Sequence, residues 1–69
     1  MVLREAPMLL PDPIVAGRYG VSLRTIDRWT RDEALGFPPP IRIRGRKFRV
    51  AAELDEFDAR QAKARERDG

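Results

Sequence analysis

The stretch Ser22-Leu23-Arg24-Thr25-Ile26-Asp27-Arg28-Trp29-Thr30-Arg31-Asp32 leads through Phe37-Pro38-Pro39-Pro40 into Ile41-Arg42-Ile43-Arg44-Gly45-Arg46-Lys47-Phe48-Arg49-Val50. Ser22 is a capping residue, and the ten residues after it hold no glycine or proline, so a helix is expected to start there. At ~100° per residue, Leu23, Ile26 and Trp29 gather on one side of that helix, while Arg24, Arg28 and Arg31 gather on the other. Gly36 and the three prolines that follow Phe37 end helical structure, because proline lacks a backbone donor and disfavours helix in the residue before it. After the break the period changes to two. Ile41 and Ile43 on one arm, and Phe48 and Val50 on the other, alternate with cations, and Gly45-Arg46 is expected to form the tight turn between two β arms. This spacing predicts one hidden apolar face and one charged face. The ribbon holds five cations and no acid from Ile41 to Arg49, as expected for a surface that meets an anionic polymer.

Upstream of this stretch, Asp12 is positioned to cap a helix with Pro13 in its first turn, followed by Ile14, Val15 and Arg18 and stopped by Gly20. Only Tyr19-Gly20-Val21-Ser22 separates the two helices, a spacing that suits a helix-turn-helix with Val21 plugging the corner. Residues 1–11, with Pro7 and Pro11, read as an extended arm whose Met8, Leu9 and Leu10 lie against the core. From Ala51 the composition turns helical again, with Leu54 and Phe57 as the buried pair and an acidic first turn. Beyond Ala59 the sequence is mostly charged, and residues 60–69 either extend the helix into solvent or fray, with fraying expected in the free monomer. The predicted division is an arm over 1–11, a DNA-binding domain over 12–59 and a polar tail over 60–69.

A chain of 69 residues makes one small domain that buries only roughly 60% of its unfolded surface, which leaves little room for an active-site cavity. Cysteine and histidine are both absent, so disulfides, thiolate nucleophiles, imidazole bases and the usual zinc sites are excluded together. Ser22 is the only serine and already has a capping role. The expectation is a protein that is not an enzyme and needs no cofactor or metal. No apolar run approaches the ~20 residues of a membrane span, and the first residues lack the order of a secretion signal, so a cytoplasmic, nucleoid-associated location is expected. Charge is segregated: residues 1–50 hold ten cations against five acids, and residues 51–69 hold four against six, which together give the net +3. Twelve of the fourteen cations are arginine, a bias that favours bidentate contact with phosphate or guanine and that a GC-rich genome also produces.

Taken together, Tyr19-Gly20-Val21-Ser22-Leu23-Arg24-Thr25-Ile26-Asp27-Arg28-Trp29, Phe37-Pro38-Pro39-Pro40, Gly45-Arg46-Lys47-Phe48-Arg49 and Glu53-Leu54-Asp55-Glu56-Phe57 resemble the small winged-helix excisionase and AlpA-like regulators, relatives of the MerR DNA-binding domain. The resemblance spans about Ile14 to Ala59. It departs in placing Asp27 beside the basic face and in carrying an arginine-rich tail. It implies an α+β, mostly helical fold: a single small winged helix-turn-helix with a two-stranded basic wing and a C-terminal helix. It also implies that the second helix enters the major groove of double-stranded DNA while the wing tip meets the backbone or minor groove. Similar proteins direct an integrase toward excision of a mobile element or regulate transcription.

On this reading the helix contributes Ser22, Arg24, Thr25, Arg28 and Arg31, and the wing contributes Arg42, Arg44, Arg46, Lys47 and Arg49. Arg24 and Arg28 are the candidate guanine readers, Thr25 touches a base edge or a thymine methyl, and Ser22 donates to phosphate. There is no Asn, and the only Gln is Gln61, so bidentate reading of adenine from the second helix is excluded. Asp27 either pairs with Arg31 one turn on or accepts from cytosine N4. Arg46 is expected at the tip. Trp29 and Phe57 share faces with aliphatic residues and are assigned to the core, and Tyr19 packs there with its hydroxyl at the surface.

Three functions remain in view. One is an excisionase that binds adjacent sites cooperatively through head-to-tail self-association, bends DNA and assists an integrase. The second is an AlpA-like transcriptional regulator with the same domain. The third, of another class, is an adaptor whose basic face meets an acidic protein or RNA and whose last helix docks a partner through Arg60, Lys63, Arg65 and Arg67. The wing cations also fit a simpler role, guarding exposed strand edges against aggregation.

Overall fold

Pro11 and Pro13 set the chain direction at the first helix. The computed structural model describes residues 7–68, and in it Leu9–Pro11 forms a short strand, β1, that passes directly into helix α1, Asp12–Tyr19. Pro11 is the N-cap in extended conformation and makes no side-chain cap bond, so Asp12 is the first helical residue and not the cap. Gly20 closes α1 in the left-handed conformation at φ 67°, and its N–H bonds the Gly17 carbonyl at 3.2 Å. The Val21 N–H returns to the Ala16 carbonyl at 3.0 Å, which directs the chain into helix α2, Leu23–Arg31. Ser22 caps α2 as expected: its Oγ accepts from the Thr25 N–H at 3.2 Å.

After α2 a turn through Asp32–Gly36 reverses the chain, with the Leu35 N–H bonded to both the carbonyl and the carboxylate of Asp32. Phe37 then inserts into the core and the proline run leads to strand β2, Ile41–Ile43, with every peptide bond trans among the described residues. Strand β3, Arg46–Val50, returns antiparallel and passes straight into helix α3, Ala51–Asp68. The described residues are therefore α+β and mostly helical, with three helices and one three-stranded antiparallel sheet in the order β1-β3-β2. Among the described residues no helix is long and apolar enough to cross a membrane.

The core holds Val15, Ala16, Ile26, Phe37, Leu54 and Phe57, with Leu10, Tyr19, Val21, Trp29 and Leu35 packed against it. Its aromatic residues meet edge to face, with Phe37 and Phe57 centroids 5.1 Å apart and Tyr19 and Trp29 5.7 Å apart. This geometry sets positive ring edges against negative faces. Trp29, Phe57 and Val21 thus take the places their spacing predicts. Ile14 and Leu23 do not: they are 55% and 52% exposed.

Several expectations for the ribbon are corrected. It is not two-stranded, because β1 pairs with β3 in the register Leu9↔Val50, Leu10↔Arg49 and Pro11↔Phe48. Residues 7–11 are therefore not a free arm, although Met8 stays 66% exposed and residues 1–6 lie outside the described part. The turn is Arg44-Gly45, not Gly45-Arg46, since Ile43 pairs with Arg46 and both turn residues have positive φ, 50° and 83°. Two consecutive left-handed residues make the turn whose twist matches a hairpin. Arg44 therefore stands at the tip and Arg46 opens β3.

The two faces are also reversed. Residues paired across an antiparallel ladder share a face, so Leu10, Arg42, Lys47 and Arg49 lie together, and these point toward the helices: Arg49 is fully buried and Lys47 reaches α2. The other face carries Leu9, Phe48 and Val50, half-buried, Ile41 and Ile43, 39% and 44% exposed, and the exposed Arg46, which pairs with Ile43. The reversal follows from Asp12, which leaves β1 beside Arg49. Its carboxylate takes the guanidinium in two bonds, Nε to Oδ1 at 2.9 Å and Nη2 to Oδ2 at 3.0 Å. Nη1 donates to the Pro38 carbonyl at 2.8 Å, and the group lies 5.3 Å from the Phe37 ring centroid. An arginine with its donors matched in this way can be buried where an unpaired one cannot.

After Ala59, α3 continues through the charged segment to Asp68, the helical extension that the sequence leaves open beside fraying. The Arg60 guanidinium ties it to the body through the Gly36 carbonyl at 3.2 Å. Gly69 and the side chains of Arg67 and Asp68 lie outside the described part.

Candidate nucleic-acid interface

The opposite sides of α2 have opposite chemistry. Ile26 is buried and Trp29 is packed, whereas Arg24, Arg28 and Arg31 project into solvent. The short Gly20 turn and the Ser22 cap fix the rotation of α2 about its axis, so the arginine side faces away from the core. Thr25 is half-buried, and its hydroxyl lies 3.2 Å from that of Ser22, so both hydroxyls are engaged in the first turn of the helix.

The hairpin lies beside this helix. A groove of about 460 Å³ separates them, with Leu23, Arg24 and Asp27 on the α2 wall, Gly45, Arg46 and Lys47 on the hairpin wall, and Pro13 near the start of α1. The sequence-predicted cations from two separate elements thus border one depression. Arg42 and Arg44 are exposed further along the hairpin, and Arg46 lies 5.9 Å from the Phe48 ring centroid. Arg49 is the exception. Its burial against Asp12 and Pro38 removes it from the surface, and it serves as an anchor that joins sheet, helix α1 and the proline run.

Asp27 sits inside this cationic field and carries two bonds. Its carboxylate pairs with Arg31 on the next turn of α2 and with Lys47 Nζ at 3.4 Å across the groove. The Arg31 guanidinium, helped by Lys47, holds the Asp27 carboxyl below its usual range. Among the described residues, Arg24, Arg28, Arg42, Arg44 and Arg46 have no acidic partner within salt-bridge distance. These five, with Arg31 and Lys47, form the exposed or half-exposed cationic set.

On the other side of α2 lies a cleft that sequence reading did not find. It measures about 380 Å³ and is lined by Tyr19, Trp29, Leu35, Phe57, Asp58 and Gln61. At its edge the Tyr19 hydroxyl donates to Asp58 Oδ1 at 2.6 Å, while Arg18 Nη2 bonds Asp58 Oδ2 at 2.6 Å and Asp55 Oδ1 at 2.8 Å. Burial, then the bond to Asp58, pushes the Tyr19 phenol up to about 12. Burial works to raise the Asp58 carboxyl, but the Tyr19 hydroxyl and the Arg18 guanidinium outweigh it and hold the group low. The pairing of α1 with α3 joins residues 37 to 40 positions apart, so no local spacing marks it.

Comparison with protein-family models, with curated proteins and with solved structures finds no match. The chemistry of the surface is therefore the guide to function. Guanidinium groups on a helix beside a cationic hairpin make this a surface suited to anionic groups.

Proposed function

We propose that this chain binds double-stranded DNA as a small winged helix-turn-helix protein, with α2 in the major groove and the β2–β3 hairpin as the wing. The observation that carries the reading is the shared groove, bordered by Arg24 from α2 and by Arg46 and Lys47 from the hairpin. In this account Arg24 and Arg28 read guanine edges, each bidentate contact contributing ~1–3 kcal/mol of discrimination, and Arg44 at the hairpin tip enters the minor groove or meets its phosphates. Ser22 remains a cap that contributes to phosphate contact at the helix start. Arg49 takes no part in contact with DNA.

A single domain of this kind buries only ~600–1,000 Å² on DNA, so strong selectivity requires neighbouring copies on adjacent sites. That requirement fits an excisionase, which assembles on a mobile-element end and assists an integrase. Footprinting on the chain's own upstream region and on the ends of any adjacent element tests this. Regularly spaced protected sites at an element end, lost with Arg28→Ala, are expected. A single protected promoter site would replace the excision role with an AlpA-like regulatory one, and the absence of salt-sensitive duplex binding would overturn both.

A further inference from the structure

The groove between α2 and the hairpin contains an acid where a pure phosphate cradle would have none. Asp12 also reaches the groove, but its carboxylate is spent on Arg49 in a bidentate pair. Asp27 differs because its partners are the exposed Arg31 and the half-buried Lys47, both at the cationic surface. The carboxylate therefore withholds two cations from any ligand and places a negative charge at the groove wall. It also links helix to hairpin.

We infer that Asp27 is a specificity-determining residue, which penalises entry of phosphate into the groove between α2 and the hairpin and so weakens binding to DNA outside the target site. The inference rests on the reading of this surface as a duplex interface. A DNA binder must separate its target from a large excess of other duplex, and the sequence-independent part of affinity comes almost wholly from phosphates. A repulsive group acts selectively when the wrong ligand meets it and the right one does not. In a target complex base edges fill the groove, so Asp27 keeps Arg31 and Lys47 as partners. In an unmatched complex the chain shifts along the backbone, and a phosphate must approach the carboxylate or displace it from both cations.

Two unit charges in contact in water repel enough to change affinity by about fivefold, and more where water is partly excluded. Two cations freed for phosphate contact steepen the log–log dependence of affinity on salt by about 0.9 each. The expected signature of removing the carboxylate is therefore tighter and more salt-dependent binding to unmatched DNA, with less change on the target.

The experiment titrates the full chain, Asp27→Asn and Asp27→Ala onto two duplexes, one of mixed sequence and one recovered by selecting a randomised pool with the wild-type chain. Asp27→Ala is needed because asparagine can itself pair with adenine. Both variants are expected to bind the mixed duplex about five- to tenfold tighter, with a salt slope steeper by about 1 to 2, and to bind the selected duplex within about threefold of wild type. In a background of Arg31→Gln and Lys47→Gln, Asp27→Ala is expected to have a smaller effect. Equal gains on both duplexes, or no gain on either while the wild type binds in a salt-dependent way, would overturn this role for Asp27 alone. Failure of the wild type to bind any duplex would remove the interface reading as well.

Discussion

Arg49 shows how one residue's partners decide its role. It is fully buried, satisfied by Asp12 and the Pro38 carbonyl, and stacked near Phe37, so removal of its charge leaves the largely buried Asp12 carboxylate without a partner. Arg49→Met is expected to lower stability by about 3–5 kcal/mol in urea unfolding, much of what a small domain possesses, and Asp12→Asn in the same chain should restore part of the loss. A loss below about 1 kcal/mol would mean that the pair is dispensable. Tyr19 and Asp58 make a second residue-scale claim, about pH. The Asp58 carboxyl is held low, so its contribution is present above the ordinary carboxylate range near pH ~4 and is lost as pH falls through the lowered value. The Tyr19 phenol is pushed up to about 12, so its contribution is complete below its ordinary pH of ~10 and is lost as pH rises toward 12. Thermal unfolding across pH should show a plateau between those limits, and Tyr19→Phe should remove the alkaline loss and cost about 0.5–1.5 kcal/mol at neutral pH.

Among the elements, the hairpin offers the clearest test, because its turn places Arg44 at positive φ, where a side chain other than asparagine, aspartate or glycine is strained. Arg44→Asn is expected to raise stability by about 0.5–1 kcal/mol while it removes the tip cation and makes duplex binding less salt-dependent by about 0.9 in slope. Opposite effects on folding and on binding from one substitution are the expected result; a loss of stability would contradict the turn assignment. Much of the element order was legible in the sequence for local reasons. Ser22 capping, Gly20 closing α1 and the proline run after Phe37 each act within a few residues. The sheet was less legible. Leu9–Pro11 is three residues long and pairs with β3 about forty positions away, a contact that no period or turn signal in the arm announces. The alternation of the ribbon was visible but its direction was not, because the burial of Arg49 depends on the carboxylate of Asp12 across the fold. Whether the charged end of α3 stays helical was open in the sequence, because the bond from Arg60 to the Gly36 carbonyl joins positions 24 residues apart.

At the scale of the whole molecule, the fold sets α2 and the hairpin side by side, with Arg24, Arg46 and Lys47 bordering one groove, apart from the cleft by Tyr19 and Trp29. The helix arginines were legible as a face because helical period alone assigns them, whereas the hairpin contributes Arg42, Arg44, Arg46 and Lys47 without Arg49. The proposed duplex binding requires α2 and the hairpin to act as one surface. The most direct test is the salt dependence of binding to a short duplex, compared for the wild-type chain, Arg28→Ala on the helix, Arg44→Ala on the hairpin and the two combined. The wild type should show a steep log–log slope; Arg44→Ala should reduce it by about 0.9, Arg28→Ala should weaken binding by about 1–3 kcal/mol with little change in slope, and the double variant should show both effects. A slope near zero for the wild type, or binding left unchanged by either single substitution, would contradict the claim.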